Sequence, residues 1–217
     1  MIKAILFDYD GTLSNRQLSG YNMYRHILQQ IFPDKDPESI EFEAVLQDCM
    51  NWDEFGSIEK KHVFTRLNNT YGCNANIEYW KNYWFLHFDE HQTLNNNCLE
   101  VLNTLRQKYK LGVITNGDSY SQNQKLTTTN IRKYFDVILV SGDIGIHKPD
   151  KRIFLQAVEQ LGLKPEEVAF IGDTFSTDIL GAYNAGLKPV WIWPDFQRIT
   201  EFPITRITHF EELLEVF

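Results

Sequence analysis

Residues 5 to 13 read Ile5-Leu6-Phe7-Asp8-Tyr9-Asp10-Gly11-Thr12-Leu13. An apolar run gives way to two acids separated by one residue, and then to a glycine. Ile5, Leu6 and Phe7 suit a strand buried on both faces, as in a parallel sheet. Gly11 allows a sharp backbone turn where the strand ends. Ligand sites of open parallel sheets lie at the carboxyl ends of their strands, so Asp8 and Asp10 are expected together at such an end. Two carboxylates there repel each other and are costly to desolvate. A metal ion, a shared proton or phosphate chemistry would account for the pairing.

Outward from that strand, the chain changes character twice. Over 14–92 the spacing predicts helices: Met23, Ile27, Leu28 and Ile31 fall on one face, Ser39 to Met50 follows a candidate N-cap serine, Ile58 to Tyr71 ends at Gly72, and Asn76 to His87 is rich in aromatics. No β-rich run interrupts this stretch. From 98 onward helix and strand alternate, with strands expected at 110–115, 135–141, 168–172 and 189–193, the last ending at Trp193, and helices at 99–108, 121–128, 150–161, 177–184 and 210–216. Such alternation specifies a doubly wound parallel sheet with helices on both faces. The first strand must join that sheet. The expected organisation is therefore an α/β, Rossmann-like core from residues 1–14 and 93–217, with residues 15–92 forming an inserted four-helix cap domain.

Composition bounds the function. The chain has 217 residues, 43 % of them hydrophobic, enough for a substantial core. No apolar run approaches the ~20 residues that span a bilayer, and the N-terminus lacks a secretory pattern, so a cytoplasmic protein without a membrane partner is expected. A net charge of −8 disfavours binding to nucleic acid polymers. Cys49, Cys73 and Cys98 are odd in number and widely spaced, which argues against a disulfide framework or a thiolate zinc site. His87 and His91 lack a third ligand nearby.

Further polar groups stand where strands end. Thr115 follows Leu111-Gly112-Val113-Ile114; Lys148 follows a strand and a short loop; Asp173 follows Val168 to Gly172, with Asp178 five residues on. In a doubly wound sheet these positions converge on one crevice. Their chemistry is coherent for a phosphate ester, a dianion that repels a carboxylate nucleophile unless a divalent cation offsets the charge. Hard oxygen ligands suit Mg²⁺: the carboxylates of Asp8 and Asp173 and the backbone carbonyl of Asp10. Thr115 and Lys148 can hold the phosphoryl oxygens. Asp8 then attacks phosphorus, and Asp10 protonates the leaving oxygen before activating water.

Asp8-Tyr9-Asp10-Gly11-Thr12-Leu13, Thr115-Asn116-Gly117, Lys148-Pro149 and Gly172-Asp173-Thr174-Phe175-Ser176-Thr177-Asp178 resemble, in order, the four motifs of the haloacid dehalogenase superfamily. The resemblance covers nearly the whole chain and implies a Rossmann-like core, Mg²⁺-dependent phosphatase activity and a C1-type helical cap as in subfamily I. It implies Asp8 as nucleophile, Asp10 as acid/base, Thr115, Asn116 and Lys148 at the phosphate, Asp8, Asp10 and Asp173 at the metal, and Asp178 as an acid orienting Lys148 or a metal-bound water. In the cap, Asn51 to Gly56 reads as a turn between helices, and Trp52 and Phe55 on it are candidate substrate-specificity residues. The expected substrate is a small phosphorylated metabolite, a nucleoside 5′-monophosphate first, with a sugar phosphate or phosphoglycolate as alternatives. A monomer or homodimer is expected. A 2-haloacid dehalogenase is the competing reading, although Asp10 and Asp173 argue against it. A binding protein that senses a phosphorylated metabolite is a third.

Overall fold

In a computed structural model the described residues are 1–192 and 201–217. In chain order the elements are β1 (Ala4–Phe7), α1 (Arg16–Ile31), α2 (Ile40–Asp53), α3 (Lys60–Tyr71), α4 (Ile77–His87), α5 (Cys98–Leu105), β2 (Lys110–Thr115), α6 (Ser119–Thr128), β3 (Val137–Val140), α7 (Ser141–Ile144), α8 (Lys151–Leu161), β4 (Val168–Gly172), α9 (Leu180–Asn184), β5 (Lys188–Ile192), β6 (Thr205–Ile207) and α10 (Leu213–Val216). Short 3₁₀ turns link several of them. They fall into two compact units, one of residues 1–14 with 94–217 and one of residues 15–93. No helix among the described residues is long and apolar enough to cross a membrane.

The first unit holds one sheet, ordered β3-β2-β1-β4-β5-β6, with every described pair parallel. This is an α/β Rossmann-like sheet, and its order reverses beside β1, where β1 pairs with β4. Strand alternation explains the two cores. Ile5 and Phe7 point to one face, with Leu111, Val113, Ala169 and Ile171, against α5, α6 and α10. Ala4 and Leu6 point to the other, with Phe170, against Ile153, Phe154 and Ala157 of α8. All four residues of β1 are fully buried, as a strand covered on both faces requires.

The second unit is helical. Tyr24, Ile27, Phe42, Leu46, Phe64 and Trp84 are among the side chains that pack its core. Asn15, Ser39 and Asn76 cap α1, α2 and α4 by accepting backbone N–H bonds at 3.0, 3.2 and 3.1 Å. One acid is buried here. Asp53 accepts from the Tyr24 hydroxyl at 2.9 Å and pairs with Arg16 at 3.1 Å and with Lys60.

Several boundaries differ from the sequence pattern. The second helix continues through Trp52 to Asp53, because the left-handed backbone that ends it begins only at Glu54 (φ 43°). The helix expected over 177–184 is split. Residues 175–179 form a wider π-type turn that carries Asp178 into the interior, and α9 proper begins at Leu180. The three-residue edge strand β6 has no periodic signal to betray it. Trp193, the expected end of the strand from 189, lies outside the described residues.

Candidate active site

β1 delivers Asp8 and Asp10 to the point where the sheet order reverses. The Asp8 N–H continues the strand ladder, donating to the Ile171 carbonyl at 2.9 Å. Gly11 then turns the chain with φ +82°. A β-carbon at this position would lie 2.5 Å from Oδ2 of Asp173. The glycine therefore supplies both the left-handed turn and the room for a second carboxylate beside the first.

Asp173 follows β4, and its carbonyl accepts the indole N–H of Trp191 at 2.8 Å. Asp178 is 1 % exposed. It reaches the site because Gly172 has no side chain: a β-carbon there would stand 2.4 Å from the Asp178 Cβ. Carboxylate oxygens of Asp8, Asp173 and Asp178 all lie within 4.8 Å of one another.

Lys148 enters from the loop after β3. Its ammonium is 2.6 Å from Asp8 Oδ1 and 2.7 Å from Asp178 Oδ1, and its side chain is 2 % exposed. Asp178 spends both oxygens on this arrangement, since Oδ2 accepts the Thr174 N–H at 3.0 Å. Its geometry is that of a lysine holder. Asn116 fixes the same lysine through its backbone: the Lys148 N–H donates to Asn116 Oδ1 at 2.8 Å, and Asn116 Nδ2 donates to the Lys148 carbonyl at 2.9 Å.

Thr115 stands at the end of β2, 1 % exposed. Asp8, Asp10, Thr115, Asn116, Lys148, Asp173 and Asp178 thus all belong to the first unit and gather at the carboxyl ends of β1, β2 and β4 and on the loop before α8. Trp52 and Phe55 belong to the second unit. Trp52 sits in the last turn of α2 and lines a cavity of about 330 Å³ with Ile58, His62 and Arg66. Phe55 has φ 59° and is exposed.

Two residues at the site escape the sequence reading. Lys125, on α6, pairs with both oxygens of Asp10, at 2.7 Å to Oδ2 and 3.0 Å to Oδ1. Gln122, one turn earlier, donates to Asp10 Oδ2 and to the Asn116 carbonyl, both at 3.0 Å, and to the Thr115 hydroxyl. The available signal was that 122, 125 and 126 share one helix face whose apolar member, Leu126, is buried.

The electrostatics are those of an acid-rich pocket. Burial pushes the Asp8 carboxyl up to about 8, opposed by Lys148 and reinforced by Asp178 and Asp173. Burial also works against the Lys148 ammonium, but Asp178 and Asp8 outweigh it and hold it above its ordinary range. Lys148 therefore stays charged, and Asp8 is the group short of compensation. Three carboxyl groups gather around one ammonium, an arrangement whose negative charge a divalent cation would offset. Asp8 Oδ2 takes no hydrogen bond among the described residues. Hard, crowded oxygen donors on a strand-end turn fit Mg²⁺, so the residues present suit such an ion.

The profile of the haloacid dehalogenase-like hydrolases matches residues 5–192. The chain belongs to that family and is an enzyme of it, a hydrolase. The glyceraldehyde 3-phosphate phosphatase of Methanopyrus kandleri is 31 % identical over 199 residues, which cover 88 % of this chain and 84 % of that protein. The pyrimidine 5′-nucleotidase YjjG of Escherichia coli is 44 % identical over 97 residues, 44 % of this chain and 43 % of YjjG. Among solved structures, that of YfnB from Bacillus subtilis, bound to magnesium, is similar with a TM-score of 0.77 and 26 % identity over 99 % of this chain and 98 % of that one.

Proposed function

We propose that the protein is a Mg²⁺-dependent phosphomonoester hydrolase of small phosphorylated metabolites, working through an aspartyl phosphate on Asp8. The observation that carries this reading is the convergence of the Asp8, Asp173 and Asp178 carboxylates within 4.8 Å, with Lys148 bridging the first and the last. An acid pair and its lysine alone would be a closed salt bridge. A third acid beside them supports reading the cluster as a cation site.

In this reading Asp8 and Asp173, with the Asp10 carbonyl, hold the ion. When bound, Mg²⁺ neutralises charge on the phosphate ester and polarises its oxygens. Lys148 and the Thr115 hydroxyl grip the phosphoryl oxygens. Gln122 favours this role for Thr115: its amide N–H occupies the hydroxyl oxygen as acceptor, which leaves the hydroxyl proton to donate. An Asp8 oxygen attacks phosphorus while the bond to the leaving oxygen breaks, and the proton on the Asp10 carboxyl passes to that oxygen, releasing an alcohol. Asp10, now a carboxylate, takes a proton from water as the water oxygen attacks phosphorus. Inorganic phosphate leaves and Asp8 is regenerated as a carboxylate.

A nucleoside 5′-monophosphate is the first substrate class, supported by the match to the nucleotidase YjjG and by the aromatic pair Trp52 and Phe55, read as specificity residues. Glyceraldehyde 3-phosphate or another sugar phosphate is the alternative, since relatives of that activity match over most of the chain. The test is phosphate release across a metabolite panel, with Asp8→Asn and Trp52→Ala alongside. Chelator-sensitive release that Asp8→Asn abolishes supports the hydrolase. Metal-independent halide release from 2-chloropropionate would replace it with the dehalogenase reading. An unchanged substrate ranking in Trp52→Ala removes Trp52 from recognition.

A further inference from the structure

We infer that Trp191 is a positioning residue that makes the carboxylate cluster discriminate Mg²⁺ from Ca²⁺, by fixing the peptide bond that follows Asp173. The inference rests on the reading above of Asp173 as a metal ligand.

β5 brings the indole to this place. Trp191 pairs in register with Gly172, the last residue of β4. Its neighbours Val190 and Ile192 join the core on the face of α5 and α10, so strand alternation sends the indole to the opposite face. There it is 3 % exposed. A buried indole N–H needs an acceptor, and this one donates to the Asp173 carbonyl at 2.8 Å. The ring also meets Phe175 edge to face, with 5.0 Å between centroids. Trp191 thus touches the turn on both sides of Thr174.

The other half of the same peptide unit is held too. The Thr174 N–H donates to Asp178 Oδ2 at 3.0 Å. The carbonyl of Asp173 and the N–H of Thr174 belong to one planar amide. A donor fixed at its oxygen and an acceptor fixed at its nitrogen restrain that plane from swinging about ψ of Asp173. The Asp173 carboxylate hangs from the adjoining Cα, and its Oδ1 accepts from the Thr174 hydroxyl at 3.3 Å. Asp178, one of the two grips on this amide, is also the acid that binds Lys148 at 2.7 Å. The indole on the neighbouring strand is therefore part of the frame that aims the acid cluster, and fills core space as well.

The chemical consequence separates two ions. Mg²⁺ demands near-octahedral oxygens at roughly 2.0–2.1 Å, whereas Ca²⁺ accepts flexible shells at roughly 2.3–2.6 Å. A carboxylate that can drift costs the small ion more affinity than the large one. A tryptophan that only filled the core would, when altered, weaken both ions alike.

The experiment measures Mg²⁺ and Ca²⁺ affinities by thermal-shift titration at one pH, in the unsubstituted protein and in two altered forms. One is Trp191→Phe. The other carries benzothienylalanine at position 191, a tryptophan analogue in which sulfur replaces the N–H and the ring shape is kept. Mg²⁺ affinity is expected to fall by ~10-fold or more in both, the usual effect of losing a partner that orients a metal ligand. Ca²⁺ affinity should fall by less than ~3-fold. Equal losses for the two ions, or unchanged Mg²⁺ affinity in the analogue protein, overturn the inference. A narrowed preference in Trp191→Phe alone overturns it as well, because ring volume and not the N–H would then be responsible. If Trp191→Phe does not fold, the analogue protein decides by the same two outcomes. Failure of the unsubstituted protein to bind Mg²⁺ would instead sink the cation-site reading, and the inference with it.

Discussion

Lys148 Nζ stands 2.6 Å from Asp8 Oδ1, with both side chains withdrawn from solvent. The same nitrogen binds Asp178 at 2.7 Å, so one ammonium serves two buried acids. Removing one partner of a buried ion pair leaves charge without compensation and costs about 3–5 kcal/mol. Lys148→Met is expected to lower the melting temperature, more strongly at pH 8 than at pH 5.5, where the raised Asp8 carboxyl keeps its proton. Phosphatase activity on p-nitrophenyl phosphate should fall by at least ~10²-fold, as when a single donor to a developing oxyanion is removed. Thermal melts at the two pH values, with a steady-state assay, check both halves. A variant as stable as the parent at pH 8 would show that the pair is not the keystone of this cluster.

The raised Asp8 carboxyl has a sign that can be measured. Its proton is held to about pH 8 in the folded protein, against an ordinary value of 3.8 in the unfolded chain. Between those values the folded state binds more protons, so without metal the stability contributed by this group falls as pH rises from about 4 to 8. A bound divalent cation offsets the ionised carboxylates and must displace the proton to do so. Mg²⁺ should therefore bind more tightly, and raise the melting temperature further, at pH 8 than at pH 6, with proton release on binding at pH 6 to 7. Titration calorimetry in two buffers of different ionisation heat measures that release. Affinity that stays flat from pH 6 to pH 8 contradicts the raised carboxyl.

What could be read from the sequence follows from how local each signal is. Asp8, Thr115 and Asp173 each stand directly after an apolar run, and a parallel sheet brings the ends of such runs together whatever the loops do. Lys148 and Asp178 lie beyond those ends, and only their motifs single them out. Lys125 and Gln122 are different. They lie in Ser119-Tyr120-Ser121-Gln122-Asn123-Gln124-Lys125-Leu126, a polar helix in which only the apolar Leu126 marks the inward face, and their partner Asp10 is more than a hundred residues away. The fold shows the same division. Five strands carry runs of apolar residues, whereas β6, Thr205-Arg206-Ile207, has one buried residue and depends on β5 for its existence. The turn at 175–179 departs from the helical pattern because Asp178 must reach Lys148.

Gly11 ties the backbone to the cation site. An alanine there meets two penalties: a left-handed conformation worth ~1–2 kcal/mol against an L side chain, and a β-carbon 2.5 Å from Asp173 Oδ2. Asp173 must move to admit it. Gly11→Ala is expected to weaken Mg²⁺ affinity and activity by more than the stability loss explains, with the sheet intact. Magnesium-dependent thermal shifts and far-ultraviolet circular dichroism distinguish the two. Retention of full Mg²⁺ affinity would mean that the carboxylate at 173 is not held against this turn.

The helical unit has a buried ion cluster of its own, and it makes a separate prediction. Asp53 is 2 % exposed and joins three elements: Arg16 and Tyr24 on α1, its own helix α2, and Lys60 at the start of α3. The arginine also lies over the Phe88 ring at 4.7 Å, and the lysine over Trp84 at 4.8 Å, so the cations are partly housed by aromatic faces. Burial, and then Asp53, keep the Tyr24 phenol well above its ordinary range, and it remains a donor to the carboxylate. Asp53→Asn preserves shape and removes the charge that separates Arg16 from Lys60. Opening of the helical unit should become easier by on the order of 3 kcal/mol, seen as faster amide hydrogen exchange along α1, α2 and α3. Protection in β1, β2 and β4 should be less affected, because those strands draw their burial from cores that contain none of these residues. Unchanged exchange in α1 and α3 would show that aromatic packing alone holds these helices, and that the ion cluster is incidental to them.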